Sequence, residues 1–502
     1  MRVLATPLLF LLIGCPGPDD SAQDTAPLPY EAPAQITTAA DGWLRGDLHM
    51  HTEHSDGFDT VAAVIDMAEY LAWPEFLAHH PEYTGSPLDF IAISDHRTVD
   101  QNSDPDFHSE MVIPIPSEEF GSSGHANTPG VDAFVNHDPD GDGISLADYQ
   151  AGIESAHAQG ALFSVNHPFA PGIMFGWDVT GFDSIEVWNS GWLLASPPTT
   201  ADDLQNWEQN KGTTAAATYR RAIQAEGMGA DGQSLTWYEA LLSRGIHVGL
   251  VGGGDRHAIV LPGFPTTYVQ AATSDVQGLV DGMRDRHSYV TRTPASAQIL
   301  GTITVGEQTY QWGDAVPLPS TGAHVTVQLQ VGRAEGGQAR LVAGGFVVDD
   351  EALQSDPLGS VVAQQDIDSQ DQTLEYSFSA IPGDWIYPLV LEPLFAPGIT
   401  EDQRQTVLDT AAIAAESGDD AMDIATSVVQ LLDTDLLASP DDCDPEDWQP
   451  DMLQCSLADM DGLTSFFVPD MLDRAMNAWI EDGELTDWCM GAVASAVLFV
   501  EE

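Results

Sequence analysis

Lysine is almost missing from this chain: Lys211 is the only one among 502 residues, and lysine plus arginine total 15 against 78 aspartates and glutamates. The formal charge of −63 repels phosphate backbones, so nucleic acid is not an expected partner. The acid surplus reads as adaptation to saline or divalent-rich surroundings rather than as a surface for one cationic protein. Cysteine is scarce as well: Cys15, Cys443, Cys455 and Cys489 have no Cys-x-x-Cys spacing, which argues against a structural zinc site built on thiolates. Long apolar runs are also absent. Leu8 to Ile13 and Gly491 to Val500 are both too short to span a bilayer, and the second reads as a docked helix or strand.

What is present divides the chain by texture. With 502 residues, 43% of them hydrophobic, it can bury several cores, and its length suggests about three domains. Arg2, the apolar run and Leu12-Ile13-Gly14-Cys15 resemble a bacterial lipoprotein signal with its lipobox, so residues 1–15 are expected to be a signal peptide with Cys15 lipidated. That resemblance implies an exported protein held to a membrane, and Pro16 after the cysteine favours the outer membrane, on either its periplasmic or its cell-surface side. Residues 16–40, rich in Pro, Ala and acid, read as a disordered tether.

Residues 41–297 alternate apolar runs with helical patterns. Leu88 to Ser94, Val112 to Pro116, Ala161 to Val165 and His247 to Val251 have the texture of strands buried on both faces. Thr60 to Leu71, Leu146 to Ala158 and Leu235 to Leu242 read as crossover helices, giving an α/β fold with parallel strands closed into a barrel. After Pro294, period-two segments such as Ile299 to Val305, His324 to Val331, Ala339 to Val348, Leu374 to Ser379 and Ile386 to Leu391 read as a β-sandwich over 298–395. Helical spacing in Gln403 to Ala415, Ala421 to Leu432 and Met471 to Ile480 predicts a helical region over 396–502. There Cys443 and Cys455 are near enough in sequence to pair, leaving Cys489 free.

Metal-binding side chains sit where these strands end. On a strand, residues two apart share a face, so His49 and His51 can reach one ion while Leu48 and Met50 pack behind them. The run Gly46-Asp47-Leu48-His49-Met50-His51-Thr52, then Ser55-Asp56-Gly57 and Ser94-Asp95-His96, resembles the first motifs of the polymerase-and-histidinol-phosphatase (PHP) superfamily. Glu118-Glu119, Gly124-His125-Ala126-Asn127, Asn166-His167-Pro168, Glu186-Val187-Trp188-Asn189 and Asp255-Arg256-His257 are most similar to its CehA/McbA branch of carbaryl hydrolases, over about residues 43–295. The resemblance implies a distorted seven-stranded β/α barrel, TIM-like, with two or three metals. By motif, His49, His51, Glu119 and Asp255 would hold the first, Glu119 would bridge to a second on His125 and His167, and Asp56, His96 and His257 would hold a third. Alternation lets only one of Glu118 and Glu119 face the centre, and the motif match selects Glu119.

Nitrogen and carboxylate donors without thiolates suit zinc, manganese or iron. Such ions activate water and polarise an ester oxygen, so the expected activity is hydrolysis of a small phosphoester or a carboxylic or carbamate ester. Arg97 and Arg256 stand beside ligand positions, where a guanidinium can contact an anionic substrate group or simply pair with an acid. His54, Glu186 and Asn189 are candidates for orienting the ligands. Asp138, Asp140 and Asp142 alternate before a glycine as in a calcium loop, although the twelfth position is Tyr149 rather than glutamate. The insertion Trp73 to Pro87 reads as a lid or a surface decoration. The competing functions are a surface lipoprotein that binds metal and a partner without turnover, and a calcium-dependent adhesin.

Overall fold

The structure, a computed structural model, describes residues 42–79, 83–141, 143–170, 173–190, 215–223, 229–257, 262–355, 358–394, 478–481 and 484–502. The signal and tether with Cys15, the stretches Gln403 to Ala415 and Ala421 to Leu432, Cys443, Cys455 and Asp142 lie outside the described residues. Among those residues no helix is long and apolar enough to cross a membrane.

Through residue 291 the chain runs β1 (Trp43–Asp47), α1 (Val61–Tyr70), α2 (Pro74–His79), β2 (Phe90–Ile93), β3 (Ile113–Pro116), β4 (Glu119–Phe120), β5 (Ala126–Asn127), α3 (Leu146–Ala158), β6 (Ser164–Val165), β7 (Ser184–Asn189), α4 (Ala215–Ile223), α5 (Gly229–Ser243), β8 (Gly249–Gly253), β9 (Thr266–Gln270), α6 (Val276–Arg284) and β10 (Ser288–Thr291). Helix α1 starts where Thr60 accepts the Ala63 amide at 3.2 Å, and it buries Val61, Val64, Ile65 and Ala68 at helical spacing. At α3 the Ser145 hydroxyl and the Asp148 carboxylate cap each other's amides, which fixes the start of the helix.

Strands β2, β7 and β8 are buried along their whole length, as strands covered on both faces are. Strands β1, β2 and β3 pair in parallel, β4 to β6 pair antiparallel, and β6, β7 and β8 pair in parallel. Two backbone bridges, His96 to Glu119 and Met50 to Arg256, join the ends of β2 and β4 and of β1 and the segment after β8. The pairing path β1, β2, β4, β5, β6, β7, β8 therefore returns to β1, and the ends it draws together carry the histidines.

Beyond β10 the fold is two-layered. Gln298–Val305, Gln308–Tyr310, Ala323–Gly332 and Asp371–Ala380 form a four-stranded antiparallel sheet. It shares a core, including Ile299, Val327 and Leu329, with Leu341, Val390 and Phe499 of the facing layer. That facing layer is continuous with the first part of the chain, because Glu484–Ala494 pairs with β10 through Val290 and Val493. The sandwich thus shares a sheet with the strands that precede it.

The helical expectation for the C-terminus is corrected for the described residues, where Ala478–Glu481, Glu484–Ala494 and Val497–Glu501 are strands. Residues 478–480 fell in the stretch expected to be helical, and the remainder of that stretch, residues 471–477, lies outside the described residues. The physical reason is burial on both faces: Ala492, Val493, Ala494, Val497 and Phe499 have no polar side, so a central strand accommodates them where an amphipathic helix cannot. Cys489 lies buried in this segment, its thiol 3.6 Å from the Glu392 carbonyl.

Candidate metal centre

The turn out of β1 is fixed by Asp47, whose buried carboxylate accepts the amides of His49 at 3.0 Å, Gly254 at 2.9 Å and Gly263 at 2.9 Å. Alternation then sends His49 and His51 inward, while Leu48 and Met50 join apolar clusters behind them. Asp95 holds the next turn, accepting from the Thr52 amide at 2.7 Å, the Thr52 hydroxyl at 2.6 Å and the Ser55 hydroxyl at 2.5 Å. Glu119 points to the centre, and Glu118, on the opposite face, accepts the Val135 amide at 2.8 Å. Arg97, His167 and Asp255 have φ of 53°, 22° and 47°, a left-handed backbone that is costly in residues other than glycine and collects at functional sites.

Every expected ligand enters one connected cluster. Glu119 Oε1 lies 3.1 Å from His49 Nε2 and 3.2 Å from both His125 Nδ1 and His167 Nε2, while Oε2 lies 2.5 Å from His96 Nδ1. Asp255 Oδ1 is 3.4 Å from His49 Nε2 and 3.3 Å from His51 Nε2. Asp56 stands 3.2 Å from His257 Nε2 and 3.5 Å from His96 Nε2. Neighbouring donors around a four-coordinate ion with bonds of about 2.0 to 2.1 Å should be about 3.3 Å apart, which these separations match except the shorter one between Glu119 and His96. Four groups can hold an ion: His51 with Asp56, His96 and His257; His49 with His167 and Asp255; His49 with His51 and Glu119; and His96 with Glu119 and His125. The donors interleave more than the motif partition implies, since His51 also joins the outer group and His167 stands with His49 and Asp255.

The cluster is graded from buried to open. His49, His51 and Glu119 are wholly buried, whereas the Asp56 side chain is 58% exposed, so solvent reaches the cluster from the Asp56 and His257 side. Burial works against ionisation of Glu119, yet His125 and His49 hold its carboxyl well below the usual range. Asp255 behaves likewise, burial being overcome by His49, His51 and His167. The charges of Asp255, Glu186 and Glu119 overcome burial and raise His49 well above the ordinary imidazole value, while burial pushes His51 down to about 4. Near the opening, Asp56 and Asp255 outweigh burial and raise His257 to about 9. With no such partner, Glu118 is pushed up to about 8 by burial.

Groups around the ligands orient them. Glu186 Oε1 lies 3.1 Å from His49 Nδ1, and its Oε2 accepts the His167 amide and the Asn189 side-chain amide, each at 2.8 Å. Gly253 permits this approach: a Cβ there would stand 2.4 Å from His49 Cβ and 2.6 Å from Glu186 Oε1. Asn166 donates to Glu119 Oε1 at 2.8 Å. Sequence reasoning gave no role to Asp47, Asp95 or Asn166, although each is adjacent to or within two residues of a ligand. His54 faces away from the cluster and pairs with Asp104 at 3.2 Å.

No family model matches the chain, and no curated protein does. Among solved structures, the chain is similar to a two-domain protein from Bacteroides vulgatus containing a predicted PHP-like metal-dependent phosphoesterase. Identity is 14% and the TM-score 0.31, over 72% of this chain and 95% of that one. At that score the likeness bears on neither fold nor chemistry.

The two arginines part company. Arg256 is 1% exposed and its guanidinium meets Asp59 at 2.5 Å, so the expectation of a substrate contact there is corrected to a structural ion pair. The Arg256 guanidinium also lies 3.0 Å from the Met67 sulfur of α1, away from the cluster that Asp255 enters. Arg97 is exposed and reaches the Gly121 carbonyl, at 3.4 Å, with no acid paired to it among the described residues. Asp138 turns its carboxylate onto the amides of Gly141 and Gly143, and neither Asp138 nor Asp140 falls in any metal-holding group among the described residues. The described part of the Trp73 to Pro87 insertion packs Phe76 against Tyr70 and Tyr83 with ring centroids 5.2 and 5.4 Å apart, anchoring it on α1.

Proposed function

We propose that this protein is a metal-dependent hydrolase of the PHP type that cleaves a small phosphoester or a carboxylic or carbamate ester. The observation that carries the reading is a set of buried polar atoms left to one another: both ring nitrogens of His51, Nδ1 of His125 and Oε2 of Glu119 lie in no regular hydrogen-bond geometry and meet ring nitrogens or carboxylates of the same cluster. Leaving such atoms unsatisfied costs about 1 to 3 kcal/mol each, a cost that a bound cation removes. The donor set fits zinc, manganese or iron. A divalent ion there supplies a Lewis acid and a water of lowered pKa.

The chain's own residues do the rest. His49, His51, His125, His167 and Asp255 form the closed side of the cluster around Glu119, whose two oxygens face different rings and suit it to bridging. His96, His257 and Asp56 form the open side, where substrate enters. Glu186 fixes the ring of His49 and the backbone of His167 together. Arg97, which follows His96 in the chain and has no carboxylate partner among the described residues, supports an anionic substrate and hence the phosphoester within the proposed range. The seven-stranded barrel is supported by the pairing path that returns to β1. Export and anchorage through Cys15 belong to the same proposal and rest on the lipobox alone.

The test is a metal analysis of the purified protein with parallel assays on aryl phosphates, phosphodiesters, carboxylic esters and carbamates. Turnover of one class, abolished by chelation and by His167→Ala, is expected. Absence of bound transition metal would sink the reading, and tight metal without turnover on any class would favour a binding protein.

A further inference from the structure

The hairpin β4 to β5 pairs Phe120 with Ala126, so residues 121–125 are its connection, with Glu119 before the turn and His125 ending it. This short loop sets the separation of two ligand side chains, now 3.2 Å. Gly121 and Gly124 have φ of 104° and 95°, and the loop is pressed against its surroundings. A Cβ on Gly121 would stand 2.6 Å from the Tyr149 hydroxyl, and one on Gly124 would stand 2.5 Å from Phe175 Cα.

Tyr149, fully buried on α3, directs its hydroxyl at the carbonyls of Ser123, 3.2 Å away, and of Gly124. Trp177 donates its indole N–H to the same Ser123 carbonyl at 2.7 Å. The two rings stack on each other at 4.5 Å, and Tyr149 also meets Phe120 edge to face at 5.2 Å. Two donors from separate parts of the chain thus converge on consecutive carbonyls immediately before His125. Burial pushes the phenol up, so it remains a donor throughout the working pH range.

We infer that Tyr149 is a positioning residue for the ion held by His125 and Glu119, acting through the 121–125 loop, with Trp177 as its support. This rests on the functional reading above. Removing the hydroxyl frees the loop to carry His125 off its approach to Glu119, while His49, His51 and Asp255, on other strand ends, keep their places. A ligand-orienting contact of this kind is worth roughly 10- to 100-fold in metal affinity.

The experiment titrates the full chain with zinc against a chromophoric chelator, comparing wild type with Tyr149→Phe, and follows hydrogen exchange of amides 121–126. The expected result is a roughly 10- to 100-fold loss of affinity at one class of zinc site, wild-type affinity at the remainder, and faster exchange confined to the loop. Unchanged zinc affinity at every site, or equal weakening of all sites, would overturn the inference. If Tyr149→Phe does not fold, Trp177→Phe, which removes the other donor to Ser123, carries the same expectations. A wild-type chain that binds no zinc, manganese or iron would remove the functional reading and this assignment with it.

Discussion

Glu186 holds His49 through a contact of 3.1 Å between Oε1 and Nδ1, and both side chains are buried. The ring's other nitrogen faces Glu119 and Asp255. A carboxylate behind a ligating imidazole fixes its tautomer and raises its basicity. Glu186→Gln keeps the shape and removes the charge, so metal affinity should fall roughly 10- to 100-fold with little change in folded structure. Calorimetric metal titration checks this, and an unaltered isotherm would reduce Glu186 to packing.

Chelation should destabilise the fold as well as stop turnover. Ions that bind only the native state stabilise it by mass action, about 2.7 kcal/mol at a free concentration 100 times the dissociation constant. The melting temperature should therefore drop in chelator and recover progressively with added zinc or manganese. A melting curve indifferent to both would show that the imidazoles and carboxylates satisfy one another without metal.

Arg97→Ala separates the ester classes. If its guanidinium meets an anionic group, KM for phosphomonoesters should rise about tenfold or more, since a charged hydrogen bond is worth roughly 1.5 to 3 kcal/mol, whereas neutral carboxylic esters should keep theirs. Parallel increases for both would assign Arg97 to holding Gly121 instead.

His247 gives an acid-side prediction away from the cluster. Burial and the positive charge of Arg286 depress it from 6.5 to about 4, and its ring sits 2.8 Å from the Ala496 carbonyl. Between those values the unfolded chain binds a proton that the folded chain refuses, so stability rises with pH across this window and is lost as pH falls through it. The loss should be on the order of 2 kcal/mol, allowing for partial exposure. Urea melts of wild type and His247→Gln from pH 7 to pH 4 should diverge by that amount; parallel curves would exclude His247 from the acid response.

Local rules carried the reading of the sequence a long way. Period-two alternation put His49 and His51 on one face and set Glu118 against Glu119, and helical spacing marked Leu146 to Ala158 as α3. Apolar runs ending in donors identified β2, β6 and β8 as the strands whose ends matter. Each of these signals lies within a few residues of the group it describes. Gly491 to Val500 reads equally as helix or strand because the run has no period of its own, and only its neighbours, β10 on one side and Trp385–Pro393 on the other, decide its conformation.

By itself the sequence determined which side chains stand at strand ends and which face they share, because backbone alternation and capping are short-range and steric. Tertiary structure alone decided that Arg256 is consumed by Asp59 while Arg97 is left open, that Asn166 and Glu186 brace ligands from other strands, and that the donor groups interleave. Those outcomes depend on distances between segments tens to hundreds of residues apart, set by how the sheets close and pack, and no local pattern encodes them.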